Sequence, residues 1–336
     1  MWMRQLFDED TYTFTYLIVD EGSSKAALID PVLGQVDRDL QLIQDLGLTL
    51  THVLDTHVHA DHVTGAGKLR ERSNATYVAS PLGAECADVR AQHGMALQLG
   101  ATNITVLATP GHTDDSLSFV IGNNVFTGDA LFVRGCGRTD FQNGDAATLY
   151  ASITEQLFAL PDHTQVWPGH DYRGHTVTTV GEEKRLNPRI SQRTKEEFMT
   201  IMSNLTLPRP KYLDIAVPAN RECGLGTAAG EQPQGGFADI PASEALAYAQ
   251  EHSAVLLDVR EPQEYVGELG HIPGALNVPW GELAKATQEL EFDSPIVVVC
   301  RSGRRSRAAC QTLVQRGFRN IVNMKGGMLE YREQQG

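Results

Sequence analysis

The segment Thr56-His57-Val58-His59-Ala60-Asp61-His62 packs three imidazoles and a carboxylate into seven consecutive residues. It follows an apolar run ending at Asp55, which places it at the end of a strand. In an extended backbone His57 and His59 project to one side, and the turn that follows can return Asp61 and His62 to the same place. Buried polar groups need partners, and a divalent cation supplies one to so dense a set of donors. Further donors stand beside glycines at later strand ends: His112 after Gly111, Asp129 after Gly128 and His170 after Gly169. A second reactive pattern lies far downstream, in Ile296-Val297-Val298-Val299-Cys300-Arg301-Ser302-Gly303-Arg304-Arg305-Ser306-Arg307. It reads as buried strand, tight loop and helix, with Cys300 under the helix N-terminus, where amide N–H groups and arginine charge favour a thiolate. Such a thiolate can attack sulfur, or phosphorus as in phosphatase loops.

These residues need elements to hold them. Alternation over Thr11–Val19 predicts a strand, with another at Ala26–Ile29 and a turn at Asp30-Pro31. A helix is predicted over Leu40–Leu46, stopping at Gly47, and strands at Thr51–Asp55, Thr76–Ala79, Ile104–Ala108, Leu117–Ile121, Val125–Thr127 and Gln165–Trp167. Thr148–Leu160 carries helical spacing. Early hairpin-like strands with interspersed helices suggest a sheet sandwich covered by helices. From residue 225 to 237 the chain is small, polar and glycine-rich, and is predicted as a linker between a domain at 1–224 and another at 238–336; a long active-site loop is the alternative. Beyond it, helix Ser243–Glu251, strand Val255–Val259, strand Ile296–Val299, helix Arg305–Arg316 and strand Asn320–Asn323 predict a small α/β domain with parallel strands.

The bulk properties bound the function. A chain of 336 residues with net charge −14 lacks the basic footprint that nucleic acid or an anionic membrane requires. Neither an apolar leader nor a membrane-length apolar run is visible, so a cytoplasmic protein is expected. The five cysteines, Cys86, Cys136, Cys223, Cys300 and Cys310, are odd in number and scattered, which predicts buried or reactive thiols rather than a disulfide framework.

The order and settings of His57, His59, Asp61, His62, His112, Asp129 and His170 resemble the metallo-β-lactamase superfamily over roughly Met1 to Cys223. Within it, Leu131-Phe132-Val133-Arg134-Gly135-Cys136-Gly137-Arg138-Thr139-Asp140-Phe141, Trp167-Pro168-Gly169-His170-Asp171-Tyr172, Arg185-Leu186-Asn187-Pro188 and Val217-Pro218-Ala219-Asn220 resemble the persulfide dioxygenases. The loop Cys300-Arg301-Ser302-Gly303-Arg304-Arg305 is similar to the six-residue active loop of rhodanese sulfurtransferases. So are Leu257-Asp258-Val259-Arg260, Gly270-His271-Ile272-Pro273-Gly274 and Gly326-Gly327, over roughly Ala238 to Arg332.

The resemblance implies an αββα sandwich followed by a rhodanese domain. It implies one Fe(II) per chain on His57, His112 and Asp129, with His59, Asp61, His62 and His170 orienting ligands or forming an alternative metal set. It also implies oxidation of glutathione persulfide by O2 to sulfite and glutathione. Arg138, Tyr172 and Thr113 would be substrate contacts. In the second domain Cys300 would carry sulfur between thiosulfate, or a similar donor, and glutathione, with Arg301, Ser302, Gly303, Arg304 and Arg305 cradling the anion. Nucleic acid and membrane are not expected partners, and a homodimer is compatible with the pattern. Asp258 with Arg260 reads as a salt bridge, Cys136, Cys223 and Cys310 as structural, and His271 as a structural hydrogen-bonder. The donors alone leave two alternatives open: a two-zinc thioester hydrolase like glyoxalase II, and a second domain that only carries sulfur.

Overall fold

The computed structural model describes residues 1–171, 174–207, 209–210, 212–224, 237–283, 290–292, 294–318 and 320–334. The chain divides into two compact units, Met1–Gly230 and Glu231–Gly336.

Among the described residues the first unit holds two six-stranded sheets. One runs in sequence order through β1 (Trp2–Asp8), β2 (Thr13–Asp20), β3 (Lys25–Ile29), β4 (Thr49–Leu54), β5 (Thr76–Ala79) and β6 (Val89–Arg90). The other is built from β7 (Ala96–Leu99), β8 (Thr102–Ala108), β9 (Leu117–Ile121), β10 (Asn124–Gly128), β11 (Gln165–Pro168) and β12 (Thr178–Thr179), also neighbour to neighbour. Both faces of β2 are apolar, because a strand in the middle of a layered domain is covered twice. Phe14, Tyr16 and Ile18 meet Ile104, Val106, Phe119 and Phe126 of the other sheet. Leu17 and Val19 pack with Val36, Ile43 and Leu69 of α1 (Val36–Asp45) and α2 (Ala66–Ser73). The outer face of the second sheet is covered by Leu149, Ile153, Leu157 and Phe198. The layers are therefore helix, sheet, sheet, helix.

Two expectations are revised here. α1 begins before Leu40, since Asp37 and Asp39 suit the first turn of a helix, and it ends ahead of Gly47, whose φ is +64°. Thr148–Leu160 is not one α-helix: α3 (Ala146–Ala151) passes into a π-helical stretch at Ser152–Leu157. There the Ser152 hydroxyl donates to the Pro110 carbonyl at 2.6 Å, and Leu149 closes against Gly111, tying this layer to the turn before His112.

The second unit carries a parallel sheet in the order β13 (Ala238–Pro241), β17 (Ile321–Lys325), β16 (Ile296–Val299), β14 (Val255–Asp258) and β15 (Leu276–Asn277). The continuous apolar run of β16 is explained by cover on both faces: Ile296 and Val298 pack in one core, Val297 and Val299 in the other. β13 is absent from the sequence reading, because its four residues include Asp239 and Pro241 and present no alternation. Phe237, expected as the last linker residue, is buried in the core of this unit; residues 225–236 lie outside the described residues.

Candidate metal centre and thiol loop

His57, His112, Asp129 and His170 each stand just beyond a strand end, those of β4, β8, β10 and β11. One ligand atom each from His57, His112 and Asp129 lies within 4.8 Å of the others. His112 Nε2 is 3.5 Å from Asp129 Oδ2, while the other ring nitrogen, Nδ1, donates to the Arg138 carbonyl at 2.7 Å. That bond fixes the tautomer and leaves Nε2 bare toward the cluster. Burial pushes His57 well below the ordinary imidazole range, and the neighbouring imidazoles of His59 and His112 act in the same direction, so the ring stays neutral with a lone pair to give.

The glycines flanking these residues are required by contact. A Cβ at Gly169 would sit 2.7 Å from Asp129 Oδ1, and one at Gly137 would sit 2.8 Å from the His112 ring.

His59, Asp61 and His62 form a second set, and Asp30, Asp55 and His59 a third. Asp30 draws His59 aside, with Nε2 3.2 Å from Oδ1. Burial would raise the Asp61 carboxyl, but His62 and His170 outweigh it and hold it well below the usual carboxylate range. His170 follows the converse logic: burial opposes its charge, and Asp129 and Asp61, 3.6 and 3.4 Å away, raise it nonetheless. Its Nδ1 is anchored at 3.0 Å to the Tyr12 carbonyl.

A cation fits this region. Among the described residues His59 Nδ1, His62 Nε2 and Asp129 Oδ1 are buried without a hydrogen-bond partner. Orphaned lone pairs clustered in a buried site are what a bound metal satisfies.

Several contributors carried no sequence-level role. The Asp30 carboxylate accepts the Thr56 N–H at 2.7 Å and the Thr56 hydroxyl at 2.9 Å, and burial pushes it up to about 6. Burial, reinforced by Asp30, pushes Asp55 up to about 7, where it meets the Tyr77 and Thr64 hydroxyls. Asp115 accepts the Val58 N–H at 2.8 Å. Asn220 clamps the histidine segment: its amide donates to the His59 and His62 carbonyls, each at 2.9 Å, and its oxygen accepts the Thr64 N–H at 2.8 Å. Asn187 donates to the Gly135 carbonyl at 3.0 Å. The signal for both asparagines was present in the Val-Pro-Ala-Asn and Arg-Leu-Asn-Pro segments, which carried a resemblance but no stated job.

The expected substrate contacts are placed unevenly. The Arg138 guanidinium is bidentate with Asp140 at 2.6 and 2.7 Å, so a substrate carboxylate would compete with that pair. Thr113 is buried, its hydroxyl 2.6 Å from that of Ser116. Tyr172 lies outside the described residues. The cysteines also require a correction. Cys86 and Cys223, expected as separate thiols, form a disulfide, because the end of α6 (Leu213–Arg221) is held against the loop after β5 by the Glu85 N–H bonding the Arg221 carbonyl. Cys136 is buried near Met202, and burial raises its thiol.

In the second unit Cys300 directly follows β16, and Gly303, at φ +86°, caps the helix α9 (Arg304–Gln315). Here α7 is Ala242–Glu251, α8 is Pro262–Tyr265 and α10 is Gly327–Glu333. The Ser306 hydroxyl donates to Cys300 Sγ at 3.3 Å. The loop is seated on the Gly326-Gly327 turn, where the Met328 N–H bonds the Cys300 carbonyl at 2.8 Å and the Leu329 N–H the Arg301 carbonyl at 3.0 Å. Any side chain at Gly327 would collide with Arg301 and Ser302. The arginines divide. Arg305 is paired with Glu264 at 2.6 Å and Arg307 with Asp239, whereas Arg301 and Arg304 are exposed and have no ion pair among the described residues. Asp258 and Arg260 form a fully buried bidentate pair that also holds the Gly270 carbonyl. Burial pushes the Cys310 thiol well up, and His271 stacks on Tyr265.

The metallo-β-lactamase superfamily model matches residues 8–85 and 92–170, and the rhodanese-like domain model matches residues 241–334. Persulfide dioxygenase ETHE1, mitochondrial, of Homo sapiens is 48% identical over 228 residues, spanning 67% of this chain and 89% of that protein. The chain belongs to the persulfide dioxygenase family. The crystal structure of ETHE1 from Myxococcus xanthus agrees, at 62% identity and a TM-score of 0.66, covering 67% of this chain and all of that one (100%). The dioxygenase-family unit is followed here by the rhodanese-like domain. A metallo-β-lactamase from Staphylococcus aureus subsp. aureus COL shares the fold over 96% of this chain and 99% of its own, with a TM-score of 0.69 and 24% identity. No helix among the described residues is long and apolar enough to cross a membrane.

Proposed function

We propose that the first unit oxidises glutathione persulfide with O2 and water to sulfite, glutathione and two protons, and that the second moves sulfane sulfur through Cys300. The observation that carries the first half is the gathering of two imidazoles and one carboxylate, His57, His112 and Asp129, within 4.8 Å in a member of the persulfide dioxygenase family. Held by that set, one Fe(II) would keep coordination positions free for dioxygen and a sulfur anion. The chain's own residues do the rest. The Arg138 carbonyl fixes the His112 tautomer, Asn220 holds the His59–His62 turn, and His170, its Nδ1 bonded to the Tyr12 carbonyl, sets Nε2 3.4 Å from Asp61 and 3.6 Å from Asp129. Oxygen uptake that starts on adding glutathione persulfide, with sulfite as product, tests this half; thioester cleavage without uptake would overturn it.

In the second half, Cys300 Sγ attacks the outer sulfur of thiosulfate. The S–S bond of the donor breaks, sulfite leaves with the electron pair, and a Cys300 persulfide remains. Glutathione thiolate then takes the outer sulfur and Cys300 returns as a thiolate. Arg301 and Arg304, exposed and without an ion pair among the described residues, offer the charge a dianionic donor needs, while Arg305, spent on Glu264, orders the loop.

A second reading has an observation of its own. His59, Asp61 and His62 cluster, with His59 Nδ1 and His62 Nε2 unpartnered, and these could hold a second ion in a two-zinc thioester hydrolase. Hydroxyacylglutathione hydrolase GloC of Haemophilus influenzae is 33% identical over 201 residues, which is 53% of this chain and 92% of that protein. The family match at 48% identity weighs for the oxygenase.

A further inference from the structure

We propose that the Cys86–Cys223 disulfide, acting through Asn220, is a thiol-reversible latch on the segment that carries His59 and His62. The proposal needs only the metal set and holds whether or not the chain oxidises persulfides.

The latch is built from two parts. The disulfide joins residues 137 apart in sequence and pins the C-terminal end of α6 to the loop that follows β5. Immediately before it in the chain, at the end of the same helix, Asn220 makes its three hydrogen bonds to the His59 carbonyl, the His62 carbonyl and the Thr64 N–H. Asn220 is 2% exposed, so each of those bonds is made away from water. Among the described residues the same end is also held by the Gly67 N–H to the Cys223 carbonyl at 3.2 Å, the Glu85 N–H to the Arg221 carbonyl at 3.0 Å, and the packing of Ala216 and Ala219 against Val63. With the disulfide closed, α6 cannot withdraw without dragging the histidine turn. With it open, the Asn220 amide, these bonds and that apolar packing remain without a covalent tie, and local opening becomes easier.

The two sulfurs are not equivalent. Cys223 is fully buried, whereas Cys86 is partly exposed, so an incoming thiolate reaches Cys86 first. It bonds to the Cys86 sulfur, the Cys86–Cys223 bond breaks, and Cys223 leaves as a thiolate that takes a proton. A second thiolate attacks the mixed disulfide, releasing Cys86. Two small thiols are oxidised to their disulfide and the protein disulfide is reduced by the same two electrons. Asn220 is thus a positioning residue, and the disulfide sets how firmly it positions.

The test loads the full-length chain anaerobically with Fe(II), removes excess metal and follows its loss to a chromogenic chelator. Samples are compared before and after treatment with glutathione, and thiols are counted by maleimide mass tagging. Opening the latch should release two thiols and speed metal loss by about 10-fold, the scale of effects from groups that orient metal ligands. Cys86→Ser, chosen because Cys86 is the partly exposed partner, should lose metal at the reduced rate whatever the thiol treatment. Asn220→Ala should lose metal rapidly in both redox states. Equal rates for oxidised and reduced wild type, failure of the two thiols to pair under oxidation, or a Cys86→Ser variant as slow as the oxidised wild type would each overturn the proposal.

Discussion

In the first unit, side chains from four strand ends in two sheets converge on one buried spot, and there His59 Nδ1, His62 Nε2 and Asp129 Oδ1 have no hydrogen-bond partner among the described residues. In the second, the Cys300 thiol, its hydroxyl donor and the neighbouring arginines all come from one strand end, one loop and one helix. The first arrangement is complete only with a cation, because burying unpaired donors costs free energy that folding must recover elsewhere. The second is complete as it stands: Arg305 and Arg307 are neutralised, and Gly303 and Gly327 let backbone lie against backbone.

The largest effect expected from that contrast is in Cys300→Ser. Sulfur transfer from thiosulfate should fall by about 10³-fold or more while persulfide-dependent oxygen uptake stays within about twofold. Retained transfer would show that the thiol loop is not the carrier. Next comes metal removal. A ligand at about 100 times its Kd stabilises the folded state by about 2.7 kcal/mol, so stripping the metal should raise hydrogen exchange in β4, β10 and the residues after them, leaving β16 and α9 unchanged. Equal loosening of both units would erase the comparison.

A third test asks whether buried charge in the first unit extends beyond the site. Burial, opposed by Arg38, pushes the Asp39 carboxyl up to about 6. A raised folded value means that the folded chain binds more protons than the unfolded one between about pH 4 and 6. Stability should therefore fall as pH rises through that window and level off above it, by about 3 kcal/mol from this group. Asp39→Asn should flatten that slope in urea titrations; an unchanged slope would mean Asp39 ionises freely. The smallest effect expected is that of Gly169→Ala. Its methyl would lie 2.7 Å from Asp129 Oδ1 and should weaken metal retention about 10-fold, with sulfur transfer untouched.

The same contrast explains what the sequence made legible. The thiol loop could be read almost whole, since its chemistry is local and its glycines and arginines are contiguous. The donors His57, His112 and Asp129 were legible as types in glycine-flanked strand ends, and strands such as Thr76–Ala79 and Ile296–Val299 were legible because one apolar run defines each. Asp30 and Asp115 were not, and Asn220 stood only in a segment that carried the resemblance, because each acts on a segment distant in the chain and neither periodicity nor spacing marks such a bond. The Cys86–Cys223 pairing was hidden for the same reason. β13 and β15 are too short to alternate, and only pairing with β17 and β14 makes them strands.

The central claim is that the donor set of the first unit holds a single redox-active ion. Elemental analysis of freshly purified full-length protein, expressed as metal atoms per chain, addresses it most directly. The account predicts one iron per chain and little zinc; two zinc ions per chain, occupying both the His57 and the His59 sets, would contradict it.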